Sequence, residues 1–292
     1  MVGGALSHVL VQAGHEIVAF SREPGGVEAD FEAARFDPGS GEIDDEALGG
    51  SAAVVHLAGA SVAARWTEKQ RRRIRDSRVE GTRLLVDAMA RLSEAARPRV
   101  LVSASAVGYY GDRGDDPLDE TAARGDGFLA DVCTDWEAEA GRAESLGVRV
   151  VRLRIGMVLS AEGGALARML RPFKMGLGGR VGSGKQWVSW IHLDDLVRAI
   201  RCCIDDERLR GAVNATAPKP VKNAELTSAL GSAIGRPTVL PAPRLALKLL
   251  FGAMAEELLL ASQRAVPEQL VKVGFEYRFS EIDAALQDLL SH

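Results

Sequence analysis

The sequence predicts an α/β fold, a doubly wound parallel sheet with a small C-terminal lobe, on three observations. Apolar, β-rich runs alternate with runs of helical period from residue 16 to about residue 155. The runs Ala53–Leu57 (AVVHL) and Arg99–Ser103 (RVLVS) are apolar almost throughout, as in strands covered on both faces. These runs lead into small or hydroxyl residues, Ala58-Gly59 and Ser103-Ala104-Ser105, where backbone can approach a flat ligand closely.

The elements follow in order. Val2, Leu6, Val9 and Leu10 keep helical spacing, and Gly14 sits where that helix should stop. Glu16–Phe20 and Ala34–Phe36 read as strands, followed by Ala53–Leu57. A long helical region covers 68–91, and after the strand at 99–103 comes a helix over 130–145, ended by Gly147. Val148–Leu153 is the next strand. Beyond Gly156 the pattern loosens into a helix at 165–173, a glycine-rich loop at 176–184 and a short aromatic strand at 187–191. Asp194 or Asp195 can cap a helix over 196–204, and Asn223 one over 224–234. A strongly apolar helix over 245–260 and a last one over 281–290 complete the chain.

A helix holding Gly3 and Gly4 just before a strand is the first crossover of a Rossmann-like βαβ unit. Gly3 then matches the last glycine of a GxxGxxG loop, which allows helix and strand to pack closely. The strand and most of the loop expected before it are not in the sequence. The chain as written is expected to be less stable, and a weaker nucleotide binder, than one extended upstream by roughly 10–12 residues. Residues 1–155, continued by segments around 185–217, are expected to hold the nucleotide; 156–292 form a substrate lobe and a C-terminal domain.

Composition excludes several classes. The 292 residues carry a net charge of −4, which argues against a polyanion-binding role. The one basic run, Lys69 to Arg78, reads as a solvated helix face. No apolar stretch reaches membrane-spanning length, and the first residues lack a signal-peptide pattern. Cys133, Cys202 and Cys203 lack metal-ligand spacing and fit a reducing, cytoplasmic setting. His192-Leu193-Asp194-Asp195 has no third ligand at suitable spacing, so no metal is expected.

The candidate site residues lie at strand ends. Ser21-Arg22 end the second strand of the unit, where a carboxylate would select NAD and an arginine offers a fork to a 2′-phosphate. Arg22 therefore argues for NADP, unless it is simply an exposed loop arginine. Asp37 is either an acceptor for an adenine amino group or a turn residue before Pro38-Gly39. Leu57, Ala58, Gly59, Ser103 and Gly156 mark further points of the expected cofactor crevice. His56, among apolar neighbours, reads as a packed strand residue. Ser105 can bond a carbonyl or alcohol, and Tyr109 and Tyr110 follow it on the expected ligand side. Arg180 and Lys185 suit a phosphate or carboxylate, and Trp187 or Trp190 a sugar or flat ring. Three residues apart on a strand, the two tryptophans point to opposite faces, so at most one lines a pocket. No GxSxG elbow is present, which argues against a hydrolase triad.

These stretches together resemble the extended short-chain dehydrogenase/reductases, and more closely their atypical sugar-nucleotide-epimerase-like branch, sometimes labelled a SulA-type cell-division inhibitor. The resemblance rests on HLAGASVAARWTEKQRRRIRDSRVEGTRLLV (56–86), SASAVGYYGDRG (103–114), GFLADVCTDWEAEA (127–140), RLRIGMVLSAEGGALARML (152–170), GLGGRVGSGKQWVSWIHLDDLVRAI (176–200) and GAVNATAP (211–218), and it covers essentially the whole chain. It implies a Rossmann fold, NADP binding and a substrate pocket between two lobes, with no established substrate; a sugar nucleotide is the class expected. Extended reductases use Asn, Ser, Tyr and Lys. Here Ser105 matches the serine, Arg78 takes the asparagine position, and Leu129 and Cys133 take those of tyrosine and lysine. Tyr109 or Tyr110 then becomes the substitute acid. The alternative is a cofactor-binding sensor or partner protein that has lost the proton relay. No residue supports the cell-division label physically.

Overall fold

The computed structural model describes residues 1–28 and 30–291. Six strands form the doubly wound unit: β1 (Val18–Ser21), β2 (Glu32–Asp37), β3 (Ala53–His56), β4 (Val100–Ala106), β5 (Arg149–Ile155) and β6 (Gly211–Ala215). All pair in parallel, β1 with β2, and β3 to β6 in the order β6-β5-β4-β3. No ladder joins β1 to β3 among the described residues, so the parallel strands stand in two sheets. The longer helices among the described residues are α1 (Val2–Gln12), α2 (Glu68–Arg91), α3 (Phe128–Gly141), α4 (Gly164–Lys174), α5 (Leu193–Asp205), α6 (Asn223–Ala233), α7 (Arg244–Phe251) and α8 (Ile282–Leu290), with short helical turns at Asp45–Leu48 and Glu268–Lys272.

Period-two alternation divides the sheet's side chains between two cores. Val100, Val102, Val151 and Leu153 pack with Leu6 of α1 and Leu196, Val197 and Ile200 of α5. Leu101 and Val150 point the other way, onto Leu85, Val86 and Met89 of α2 and Ala140 of α3. Burying a side chain such as Leu or Val contributes about 1.5–3 kcal/mol, so these two layers hold the unit together. A third core, with Leu166, Phe173, Trp190, Leu226, Leu230 and Leu286, belongs to the C-terminal lobe. No helix among the described residues is long and apolar enough to cross a membrane.

Helix ends depart from expectation where tertiary contacts take over capping. The α5 cap is His192, whose Nδ1 accepts from the Asp194 backbone N–H at 3.1 Å. Asp195 is fully buried instead, accepting from the backbone N–H groups of Arg278 and Phe279 at 2.9 Å each. Asn223 does not cap α6; its Oδ1 accepts from the Val181 N–H at 2.8 Å, and Glu225 reaches back to the Lys222 N–H at 2.9 Å. The single helix expected over 245–260 breaks at Gly252, which takes φ +62°, and resumes as one π-helical turn, Ala255–Leu260. The aromatic strand is two: Trp187–Val188 pairs antiparallel with Val221–Lys222, and Trp190–His192 parallel with Met157–Leu159.

Two glycines separate close approach from open space. Gly156, just after β5, would put a Cβ 2.6 Å from the Ser189 carbonyl oxygen. Gly3 lies exposed in the first turn of α1, and a Cβ there would meet nothing within 4 Å among the described residues. Gly156→Ala should therefore cost about 1–3 kcal/mol through forced backbone movement. Gly3→Ala should stabilise by about 0.5–1 kcal/mol through helix propensity. Urea unfolding midpoints of the two variants check both signs.

Candidate functional site

The carboxyl ends of β1, β2 and β3 open onto a cleft of about 720 Å³. The structure brings Ser21, Arg22, Asp37, Ala58 and Gly59 together in its walls, as expected from the sequence. Arg22 is exposed, and its side chain has no partner among the described residues. Asp37 is committed to its own turn: one oxygen accepts from Arg35 and the other from the Gly39 N–H, each at 3.0 Å. Ser21 likewise accepts from the Glu23 N–H at 3.1 Å. Ala58 and Gly59 leave the floor low.

Arg78 shapes this floor from behind. It donates to the carbonyls of Ala60 and Ile74 at 3.0 Å, stacks over Trp136 at 5.2 Å, and lies so close that a Cβ on Gly59 would sit 3.1 Å from its Cζ. It holds the loop after β3 and is not among the residues lining the cleft. Leu57 packs against the α1–α5 core, Ser103 is buried, and Gly156 is closed over by Ser189. His56 is the packed residue its neighbours imply, edge-on to Phe36 with its rings 5.7 Å apart. Burial pushes its pKa down to about 4.

Ser105 stands over a buried polar network. Its hydroxyl donates to Glu137 Oε1 at 2.6 Å, and Arg154 of β5 grips both oxygens of the same carboxylate at 2.9 Å. Glu137 and Arg154 are 7% and 4% exposed, so the pair is dry. Arg154 also donates to the Tyr110 hydroxyl at 3.0 Å, and that hydroxyl donates to Asn214 Oδ1 of β6 at 2.7 Å. The Asn214 N–H in turn meets Glu120 Oε1 at 3.0 Å. Glu120 Oε2 is buried with no partner among the described residues, and burial raises this carboxyl's pKa.

This arrangement separates the two tyrosines. Tyr110 is wholly buried, and burial pushes its phenol up to about 12, so it does not suit the role of a substitute acid near neutral pH. Tyr109 is half-buried, its ring 3.5 Å from the Arg154 Cζ, and its hydroxyl has no hydrogen bond among the described residues. Leu129 and Cys133 pack beneath the Val107–Tyr110 turn, against Gly108. Burial pushes the Cys133 thiol up to about 11, which keeps it protonated and inert.

The C-terminal lobe treats its expected residues unequally. Arg180 and Lys185 are exposed. The Trp187 Nε1–H donates to Asp115 at 2.6 Å, and Arg264 and Lys222 lie 4.7 and 5.2 Å from the ring centre. Trp190 is a correction: it is fully buried in the lobe core, donating to the Lys219 carbonyl at 3.1 Å, and cannot stack on a ligand. No cluster of three metal-ligating side chains occurs among the described residues.

Four residues of the site carry little or no signal in the sequence. Arg154 is one of three arginines in the strand run VRVVRLRI (148–155), with nothing local to separate it from Arg149 and Arg152, and Glu137 is one of several acidic residues of α3. Arg73, read as part of a solvated face, lines the cleft. Glu257, from the π-helical turn, accepts from the Leu129 N–H at 2.9 Å and covers the otherwise uncapped N-terminus of α3, with no sequence signal at all.

The comparisons with known proteins agree with this geometry. A family model described as the NAD dependent epimerase/dehydratase family matches residues 1–215, and a domain of unknown function (DUF1731) matches 242–289. The chain is 43% identical over 287 residues to the epimerase family protein Mb2239 of Mycobacterium bovis, covering 98% of this chain and 93% of that protein. It is 34% identical over 297 residues to the human epimerase family protein SDR39U1, covering 99% and 96%. The crystal structure of the human protein (isoform 2) with NADPH superposes with a TM-score of 0.86 at 31% identity, covering 100% of this chain and 96% of that one. A nucleoside-diphosphate sugar epimerase from Corynebacterium glutamicum superposes at 0.80 and 34% identity, and this chain spans 56% of its length.

Two measurements test the site. Glu137→Ala should destabilise by about 3–5 kcal/mol, because it strands the Arg154 charge. Replacing both residues by Met should recover much of that loss, and denaturant unfolding reads both. The second concerns pH. His56 favours its neutral form when folded, so its contribution is complete above the unfolded value of 6.5 and is lost as pH falls toward about 4. That fall corresponds to roughly 3 kcal/mol. His56→Phe should flatten the stability profile between pH 6.5 and 4.

Proposed function

Because the chain belongs to the NAD-dependent epimerase/dehydratase family, we propose that it is an NADP(H)-binding oxidoreductase or epimerase-like enzyme acting on a small polar substrate of the sugar-nucleotide class. One observation carries this reading: a cleft at the strand ends, floored by Ala58 and Gly59, presents the unpartnered guanidinium of Arg22. The cleft fits a dinucleotide on physical grounds. A low floor admits a flat base, and a free guanidinium on the wall matches a 2′-phosphate by charge and by its fork of donors. The NADPH bound by the human relative supports the same choice, and the name of the Corynebacterium neighbour supports the substrate class. In this reading residues 1–155, with the segments around 185–217, hold the dinucleotide. The remainder forms the substrate lobe, and the cysteine usage supports a cytoplasmic setting.

When bound, the cofactor supplies a nicotinamide able to take or give a hydride. The chain's own residues do the rest. Ser105 is the residue we assign to orienting a substrate hydroxyl: its own proton goes to Glu137, which leaves the oxygen as an acceptor. Arg154 keeps Glu137 in place and so fixes the Ser105 rotamer. Tyr109 is the proton donor we assign, since its hydroxyl is uncommitted while that of Tyr110 is buried and bonded. Arg180 and Lys185 are the residues we assign to the charged end of the substrate.

A second reading is a cofactor-binding sensor or partner protein without turnover. It is favoured by Leu129 and Cys133, neither of which can serve as a proton shuttle there.

The test is a titration by nicotinamide fluorescence, NADPH against NADH. NADPH is expected to bind at least tenfold tighter, and equal binding or none overturns the proposal. A panel of sugar nucleotides with NADP+ or NADPH then separates enzyme from sensor. Tyr109→Phe should abolish any turnover found and leave NADPH binding intact.

A further inference from the structure

We infer that Arg73 is the second arm of a two-arginine clamp, shared with Arg22, for the phosphate on the adenosine 2′ position. The inference rests on the NADP(H) reading of the cleft and adds a residue that sets its cofactor specificity.

Most of the arginines at the start of α2 are already engaged. The run Lys69–Arg78 holds five arginines on the first turns of α2. Arg71 lies over the rings of Trp66 and Phe128, at 5.8 and 5.0 Å. Arg72 approaches Glu68 at 4.0 Å, Arg75 pairs with Asp135 at 2.9 Å, and Arg78 is tied to Ala60 and Ile74. Arg73 is the exception. It is exposed, and among the described residues it has no hydrogen bond, ion pair or aromatic partner, yet it lines the cleft. Arg22, from the loop after β1, lines the same cleft in the same unpaired state. The clamp's two arms thus come from separate elements, the β1 loop and α2.

Two of the three acidic groups on these walls have arginine partners of their own. Asp37 is paired with Arg35 at 3.0 Å and Glu80 with Arg83 at 2.7 Å, each arginine also meeting a second carboxylate, Glu42 at 3.0 Å and Glu139 at 2.6 Å. Asp76 is the remaining carboxylate, one helical turn from Arg73 on the same wall. Two guanidiniums outweigh it, and a phosphate dianion can accept a fork of donors from each. An unphosphorylated ribose gives neither arginine an anion to bind, so the pair discriminates by charge.

The experiment uses the whole protein and compares adenosine 2′,5′-bisphosphate with 5′-AMP, and NADPH with NADH, by calorimetry. The wild-type chain should bind the bisphosphate at least tenfold tighter than AMP. Arg73→Gln should weaken the bisphosphate and NADPH about tenfold, or about 1.4 kcal/mol, while AMP and NADH stay within twofold. Arg73→Lys, which keeps the charge and loses the fork, should fall between. Since Arg73 is exposed and unpaired, both variants should keep the wild-type Tm. If wild type does not distinguish bisphosphate from AMP, the NADP(H) reading fails and the clamp with it. If wild type distinguishes them and Arg73→Gln does so equally well, the clamp alone fails. An equal loss for AMP and bisphosphate also overturns it, because Arg73 would then hold something both ligands share.

Discussion

The buried ion pair between Glu137 and Arg154 is the contact on which the site's geometry depends. It ties helix α3 to the central strand β5 through two hydrogen bonds of 2.9 Å. Through Ser105 it reaches β4, and through Tyr110 and Asn214 it reaches β6. Two charges taken out of water gain little net stability even when well paired. What the pair provides is position: each remaining donor of Arg154 and the Ser105 hydroxyl has one satisfied arrangement, and departing from it leaves a buried charge without its partner.

Leu129 and Cys133 lie beside this network as an apolar layer. Apolar packing of those residues against Gly108 holds the Val107–Tyr110 turn close to α3. Tyr110 is then spent as a structural link, and the hydroxyl of Tyr109, whose ring lies on Arg154, has no hydrogen bond among the described residues. Burial and hydrogen bonding thus set two neighbours in sequence apart.

The C-terminal segments are anchored by single acidic side chains meeting backbone N–H groups. Asp195 holds residues 278 and 279, Glu120 holds Gln269, and Glu257 caps α3 at Leu129. Carboxylates that accept from several N–H groups are strong ties at low area. They join segments distant in sequence, which is why none of the three announces itself locally.

The sequence by itself determined the layered fold, the order of strands and helices, and the strand ends that gather Ser21, Arg22, Asp37, Ala58 and Gly59. Those features follow from hydrophobic period and from small residues at strand termini, both readable within a few residues. The C-terminal half was legible only in outline: Gly252 divided one expected helix, and Ser189 one expected strand. Tertiary structure alone decided the rest. It buried Trp190 while leaving Arg180 exposed, gave the α5 cap to His192 so that Asp195 could hold a distant loop, and left Arg73 unpaired while its neighbours were spent. Each outcome depends on which partner a side chain meets across the fold, and burial or pairing by residues far along the chain leaves no local pattern to read.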